Sequence, residues 1–169
     1  MLDLVIRAAQ PADFEGIFDL NAGAFATRAE AMLVDRLRAE AAPLVELVAV
    51  SSDTVVGHIL FSPVTVAGNT SLMMGLAPLA VALPWRGQQI ASTLVRDGLA
   101  ECRLRGAVAA VVLGHAELYR QCGFVPAQQF GLQCEYDVPA ENFLAIELNE
   151  GALRHVSGRV SYHPAFAAL

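Results

Sequence analysis

The chain is poor in cysteine: Cys102, Cys122 and Cys134 are its three, and no two are spaced as C-x-x-C. So small, odd and scattered a set argues against a disulfide framework or a zinc site, and a reducing cytoplasm is the expected compartment. No basic stretch followed by an apolar run opens the sequence, so MLDLVIRAAQ does not read as a secretory leader. No run approaches the ~18 apolar residues of a membrane span, so no membrane association is expected. Basic residues are outnumbered, 11 Lys plus Arg against 17 Asp plus Glu, for a formal net charge of −6. A nucleic-acid binder needs a basic face to displace counterions from phosphates, and this composition does not supply one. A cationic partner is easier to reconcile with it. The sequence also lacks a G-x-x-x-x-G-K-[ST] loop with its magnesium ligands, and a G-x-G-x-x-G turn, which argues against nucleotide hydrolysis and dinucleotide binding.

What is present is apolar. Of 169 residues, 55% are hydrophobic and 17% charged. That suits one domain with one core spanning 1–169, with 149–169 as a C-terminal tail packed on it. No repeat or low-complexity segment interrupts the chain.

The pattern opens with a strand over Leu2–Arg7 and a helix led by Pro11 at its first position, with Phe14, Ile17 and Phe18 on one face. A second helix starts near Thr27, where Thr27 and Glu30 have the T-x-x-E spacing of a capping box. Strands follow over Leu44–Val50, Thr54–Val66 and Leu72–Val81, joined by the turn residues Ser51–Asp53 and Gly68–Asn69. Gly57, Pro63, Gly75 and Pro78 predict bulges or irregular ends within them. Ile90–Arg105 has a clear helical period, with Ile90, Leu94, Gly98 and Cys102 in line and Arg96, Asp97, Glu101 and Arg103 opposite. Gly106 ends it, and AVAAVVL (Ala107–Leu113) is apolar throughout, as a parallel strand buried on both faces should be. Strand, helix and buried strand form a right-handed βαβ unit. A short helix over His115–Cys122 and strands over Phe124–Gln133 and Phe143–Leu148 complete the body.

The chemistry concentrates in Val81-Ala82-Leu83-Pro84-Trp85-Arg86-Gly87-Gln88-Gln89-Ile90-Ala91-Ser92. A strand here runs through a loop into a helix whose first N–H groups have no partner within the helix and are free to meet an anion. Gly87 and Ala91 let that anion approach the backbone, and Arg86 adds a fixed charge.

This segment resembles the pyrophosphate loop [QR]-x-x-G-x-[GA] of the GNAT N-acetyltransferase superfamily, with Arg86 at its first position and Ala91 at its last. Gln89 stands where the family has glycine. Leu79-Ala80-Val81 is similar to the family strand that pairs with pantetheine, and Tyr119-Arg120-Gln121-Cys122-Gly123-Phe124 to its Y-x-x-x-G-F. GHAELYRQCGF and VSGRVSYHPAF resemble the bacterial branch called YhbS-like. The resemblance covers nearly the whole chain. It implies an α+β fold layered α/β/α, with a mixed sheet of about seven strands splayed between the fourth and fifth.

It also implies a reaction: direct transfer of an acetyl group from acetyl-coenzyme A, as co-substrate and without a metal, to a primary amine on a small molecule, peptide or protein. Leu79, Ala80, Val81, Arg86, Gly87, Gln88, Gln89, Ile90, Ala91 and Ser92 would hold the coenzyme. Tyr119 would protonate the departing thiolate; otherwise it is a core tyrosine. Glu30 is either a capping residue or a base or acceptor contact, and His115 either a base or a loop histidine. His58, His155 and His163 have no partners at ligand spacing and read as structural or exposed, and Cys122 as packed. The competing reading is a coenzyme-binding sensor or partner-binding module without catalysis. The acceptor and the oligomeric state, a homodimer among the possibilities, stay open.

Overall fold

The computed structural model describes residues 3–169. One nine-stranded sheet forms its centre. Strand β1 (Leu4–Ala8) leads through a short 3₁₀ turn, Pro11–Asp13, into helices α1 (Phe14–Ala24) and α2 (Ala29–Glu40). Strands β2 (Val45–Ser51), β3 (Thr54–Val66) and β4 (Met73–Val81) form an antiparallel meander with β1. Helix α3 (Ile90–Leu104) crosses from β4 to β5 (Ala109–Leu113), which pairs parallel to β4. After α4 (Ala116–Gln121) come β6 (Val125–Pro126), β7 (Leu132–Cys134), β8 (Phe143–Glu147) and β9 (Gly158–Ser161). The main path is β1-β2-β3-β4-β5-β8-β6, and β9 bridges β3 to β7.

Helices α1 and α2 cover one face and α3 and α4 the other, so β5 is buried on both sides. Ala109 and Val111 join Ile17, Leu37, Leu60 and Tyr162 on the first face. Ala110 and Val112 join Phe61, Leu94, Val95 and Tyr119 on the second. This is why Ala107–Leu113 carries no polar alternation. On α3, Ile90, Leu94, Val95, Gly98, Leu99 and Cys102 form the buried stripe. Gly98 lies so close to the ring of Phe61 that a side chain there would collide with it. Burying Leu94 completely is worth about 2 kcal/mol.

The feature that positions the site is a parting of strands. The β4–β5 register runs from Met73↔Ala109 to Leu76↔Val112 and then stops. Across the other edge of β4, Ile59 pairs with Leu79 but Phe61 with Leu76, so β4 carries one extra residue at Ala77–Pro78. The bulge expected at Pro78 is therefore real, and it bends β4 away from β5 where their pairing ends. A second bulge lies at Val56, beside Gly57. Pro63 pairs in register with Met74 and makes none.

Several boundaries differ from the sequence expectation. Leu2 lies outside the described residues. Helix α2 starts at Ala29 with Arg28 at its N-cap, so Glu30 is one turn position too early to reach back as a capping box; Thr27 Oγ1 accepts from Ala29 N at 3.2 Å instead. Phe124–Gln133 is not one strand: a 3₁₀ turn over Ala127–Phe130 and Gly131 at φ +73° split it into β6 and β7. The tail is more than packing, because Gly158–Ser161 pairs with both β3 and β7. Four residues are too few to show a period, and their partners lie far away in sequence.

Candidate functional site

The parting of β4 from β5 leaves the β5-facing backbone of Leu79–Val81 outside the sheet register. A cleft of about 540 Å³ opens there, walled by Leu79, Ala80, Val81, Arg86, Ala91, Gly114, His115, Leu118 and Tyr119, with Ala24 and Phe25 of α1 closing it above. A second cavity of about 300 Å³ continues it over the loop, walled by Trp85, Arg86, Gly87, Gln89, Ile90, Ala91, Ser92 and Gln121. Val81, Arg86, Ala91 and Leu118 belong to both, so the two form one channel.

No side chain caps the N-terminus of α3. Its first turn therefore presents backbone N–H groups to the channel, at the positive end of a fifteen-residue helix. Arg86 Nε donates to Val81 O at 2.9 Å, which anchors the guanidinium at the end of β4. Its terminal nitrogens make no hydrogen bond among the described residues. Gly87 (φ +77°) and Gln89 (φ +64°) are both left-handed. A residue with a Cβ pays for that conformation, so Gln89 sits strained at the position where glycine would be at ease. Gln89 O accepts from Ser92 Oγ, Thr93 Oγ1 and Thr93 N, which fixes the turn. Gln88 lies outside the cavity lining and donates to Pro84 O at 3.4 Å.

Tyr119 is 8% exposed and stands at the cleft's inner end. Its ring meets Phe124 edge to face at 5.7 Å, and Gly114 leaves the space it fills. Burial, helped by the nearby Cys122 thiol, pushes its hydroxyl up to about 12. It therefore stays protonated at neutral pH and is always a donor. His115 lines the same cleft at the N-cap of α4 and is exposed, with its side chain making no cap bond. The structure thus brings nine of the ten loop and strand residues together with Tyr119 and His115. Glu30 lines neither cavity; its Oε2 is buried without a partner.

His58, read from the sequence as structural or exposed, is fully buried. Its Nε2 meets Glu46 Oε1 at 2.9 Å, and its Nδ1 meets Asn21 Nδ2 at 3.1 Å. The amide nitrogen can only donate, so Nδ1 accepts and Nε2 carries the proton. Desolvation holds His58 below the ordinary histidine value despite the pull of Glu46. Glu46 stays below the usual carboxylate range although burial opposes its charge, because His58 and Arg38 bond to it. Arg38 reaches Glu46 at 2.6 Å and lies over the Phe14 ring, so the network ties α1 and α2 to the sheet beside Ala80.

The model of the acetyltransferase (GNAT) domain matches residues 5–127. The chain belongs to the GNAT acetyltransferase family. This N-acetyltransferase is 38% identical over 164 residues to the uncharacterized N-acetyltransferase YhbS of Escherichia coli, covering 96% of this chain and 98% of that one. It is 37% identical over 135 residues to the uncharacterized N-acetyltransferase YjhQ of the same species, covering 77% and 75%. The crystal structure of E. coli YhbS in complex with CoA superposes with a TM-score of 0.94 at 37% identity, over 99% of this chain and 93% of that one. A Brucella melitensis GNAT acetyltransferase in complex with acetyl-CoA gives 0.79 at 31% identity, over 96% and 97%. The α+β fold expected from the resemblance is the fold observed, with seven strands on the main path of the sheet and β7 and β9 joined to it through β3.

Proposed function

We propose that this acetyltransferase moves the acetyl group of acetyl-coenzyme A directly to a primary amine, both bound at once. The observation that carries the reading is the channel itself: a free strand edge at Leu79–Val81, an uncapped helix N-terminus with Arg86, and the buried Tyr119 line one continuous space. The relatives crystallised with CoA and acetyl-CoA support the same ligand here. Pyrophosphate would lie on the backbone N–H groups at the start of α3 and on Arg86, with Gly87, Gln89, Ile90, Ala91 and Ser92 around it. Gln88 would contribute its backbone alone.

The pantetheine arm would extend along Leu79, Ala80 and Val81 and take up their free hydrogen-bonding groups, as an added strand does. A backbone N–H there would also polarise the thioester carbonyl. The amine must be neutral to attack, and a lysine-like amine titrates near ~10.4, so a proton has to leave it. His115, exposed at the cleft mouth, suits that step through a water; Glu30 would need to swing from its buried position. The amine nitrogen bonds to the acetyl carbon and the carbon–sulfur bond breaks. Tyr119 donates to the sulfur as negative charge gathers there.

Three unpaired cysteines suit the reducing cytoplasm expected from the sequence, and among the described residues no helix is long and apolar enough to cross a membrane. The direct test is thiol release from acetyl-coenzyme A against a panel of amines, with acetylated product identified by mass. Turnover that needs both substrates together supports the reading. Tight coenzyme binding with no product on any amine refutes it in favour of a sensor.

A further inference from the structure

Two neighbouring residues of β3 back the strand edge that the parting exposes, and they serve opposite sides of the cleft. Gly57 pairs with Val81 and His58 with Ala80, and both partners line the cleft. Gly57 lies against Ile90 and Leu94 of α3, and a side chain there would crowd them. His58 lies on the other face, under α1. The last residue of that helix, Ala24, and Phe25 after it close the cleft.

Between this roof and the sheet stands Asn21, one turn before Phe25 and fully buried. It braces the end of α1 through three bonds. Its backbone O accepts from Phe25 N at 3.3 Å, its Nδ2 donates to Ile17 O at 2.9 Å, and the same Nδ2 donates to His58 Nδ1 at 3.1 Å. Among the described residues the bond to His58 is the one hydrogen bond from α1 to the sheet. Both amide hydrogens are thereby spent, and Asn21 Oδ1 is buried without a partner. A dry carbonyl costs stability, so the two bonds of the nitrogen hold the amide in this orientation.

The arrangement depends on one proton. His58 Nδ1 accepts from Asn21 only while it carries no hydrogen. The charged groups that face the ring are Glu46 of β2, which accepts from Nε2, and Arg38 of α2, which bonds to Glu46 in turn. From α1 the ring meets Asn21 and from β4 it meets Ala80, and neither titrates. Burial opposes the imidazolium most, Glu46 favours it and Arg38 opposes it. A proton added at Nδ1 would confront the Nδ2–H of Asn21, donor against donor. The amide then has to turn Oδ1 to the ring, which satisfies the dry oxygen but takes Nδ2 away from Ile17 O. Two hydrogen-bonded states thus lie one proton and one amide rotation apart, and only the first braces the end of α1.

We infer that Asn21 and His58 are positioning residues for the cleft: with Nδ1 unprotonated they seat Ala24 and Phe25 over the bound coenzyme, and a proton on Nδ1 releases that seat. The inference rests on the coenzyme-binding part of the acetyl-transfer reading. It makes coenzyme affinity and His58 protonation one linked equilibrium. Coenzyme binds the unprotonated form better, and by reciprocity bound coenzyme lowers the pH at which His58 takes its proton. The two compete only below about pH 6.5, the ordinary histidine value, and are independent above it.

The test follows His58 itself. In ¹⁵N-labelled protein the imidazole nitrogens report tautomer and titration midpoint between pH 7.5 and 5, with and without saturating coenzyme A, and the His58 signals are assigned by their absence in His58→Gln. The Nε2–H tautomer is expected at pH 7.5, with a midpoint about 0.5–1 pH unit lower when coenzyme is bound, equivalent to about three- to tenfold in affinity. Calorimetry reads the reciprocal effect. The wild-type Kd for coenzyme A, divided by that of His58→Gln at the same pH, should be level above about pH 6.5 and rise about three- to tenfold below it. Glutamine keeps an acceptor for Asn21 and a donor for Glu46 but cannot titrate, and the coenzyme's own phosphate titrations cancel in the ratio. Asn21→Ala should raise Kd at pH 7.5 and abolish the linkage, with its melting temperature as the check on folding; if it does not fold, the wild-type titration decides alone. A midpoint that coenzyme leaves unmoved, an Nδ1–H tautomer, or the same pH dependence in wild type and His58→Gln overturns the inference and leaves acetyl transfer standing. So does a ring that takes no proton down to pH 5, since nothing would then release the seat. Wild-type protein that binds no coenzyme at any pH would sink the acetyl-transfer reading itself.

Discussion

Replacing Tyr119 by phenylalanine tests the chemistry of the cleft most directly. Burial pushes that hydroxyl up to about 12. A free thiol titrates near ~8.5, so complete proton transfer from Tyr119 to the departing thiolate is uphill by about 3.5 pK units, or about 5 kcal/mol. In the proposed mechanism the hydroxyl therefore assists by donating a hydrogen bond to sulfur as charge develops, not by finishing the transfer. A hydrogen bond to a charged group is worth about 1.5–3 kcal/mol. Removing it should cost kcat about 10- to 150-fold, less than the upper range of full general-acid catalysis, about 10⁴-fold. The dissociation constant of the coenzyme should not move, since the hydroxyl meets its sulfur mainly in the transition state. Folding should survive, because the ring keeps its contact with Phe124 and the hydroxyl makes no hydrogen bond among the described residues. The measurement is thiol release between pH 7 and 10, with coenzyme affinity by calorimetry. Unchanged kcat would refute the role. An alkaline limb near pH 9–10 that disappears in Tyr119→Phe would refute the burial argument, because a hydroxyl held near 12 cannot ionise there.

Other outcomes follow from the same geometry. Arg86→Ala should raise the coenzyme Kd about 10- to 100-fold, and the wild-type affinity should fall with salt more steeply than the variant's, read by calorimetry. Gln89→Gly removes a left-handed strain of about 1–2 kcal/mol and restores about 0.4–1 kcal/mol of unfolded-chain entropy, so urea unfolding should show a net gain of about 1 kcal/mol; a loss would mean that the Gln89 side chain contributes more than its conformation costs. His58 is held below its unfolded value of about 6.5. Below that pH the unfolded chain binds more protons than the native one, so stability is full above about pH 6.5 and declines as pH falls further. Urea midpoints at pH 7.5 and 5.5 should show the decline, and His58→Gln should flatten it.

Much of the fold was legible because local patterns carried it. Thr54–Val66 is bounded in the sequence by the turn residues Ser51–Asp53 and Gly68–Asn69, and β3 has those ends. The stripe on α3 and the apolar run of β5 gave the βαβ unit, since burial on one face or on both leaves different periods in the sequence. Pro78 announced its bulge because it cannot donate to a sheet ladder. The elements missed were short or held by distant partners. β7 and β9 have three and four residues and exist because they pair with each other and with β3. Glu30 had capping-box spacing, but the bend over residues 25–28 places Arg28, not Thr27, at the N-cap.

The strand–loop–helix segment between Leu79 and Ser92 was determined by the sequence itself, because a strand, a small-residue turn and a helix start are local events. The family followed from the order of such events along the chain. Only the tertiary structure decided what the loop adjoins. It parted β4 from β5 to expose a strand edge, buried Tyr119 and so fixed its protonation, and sealed His58 against Glu46. It also carried Tyr162 from the end of the chain to Gly75 in its middle. Burial and approach between distant residues are properties of packing, and no local pattern encodes them.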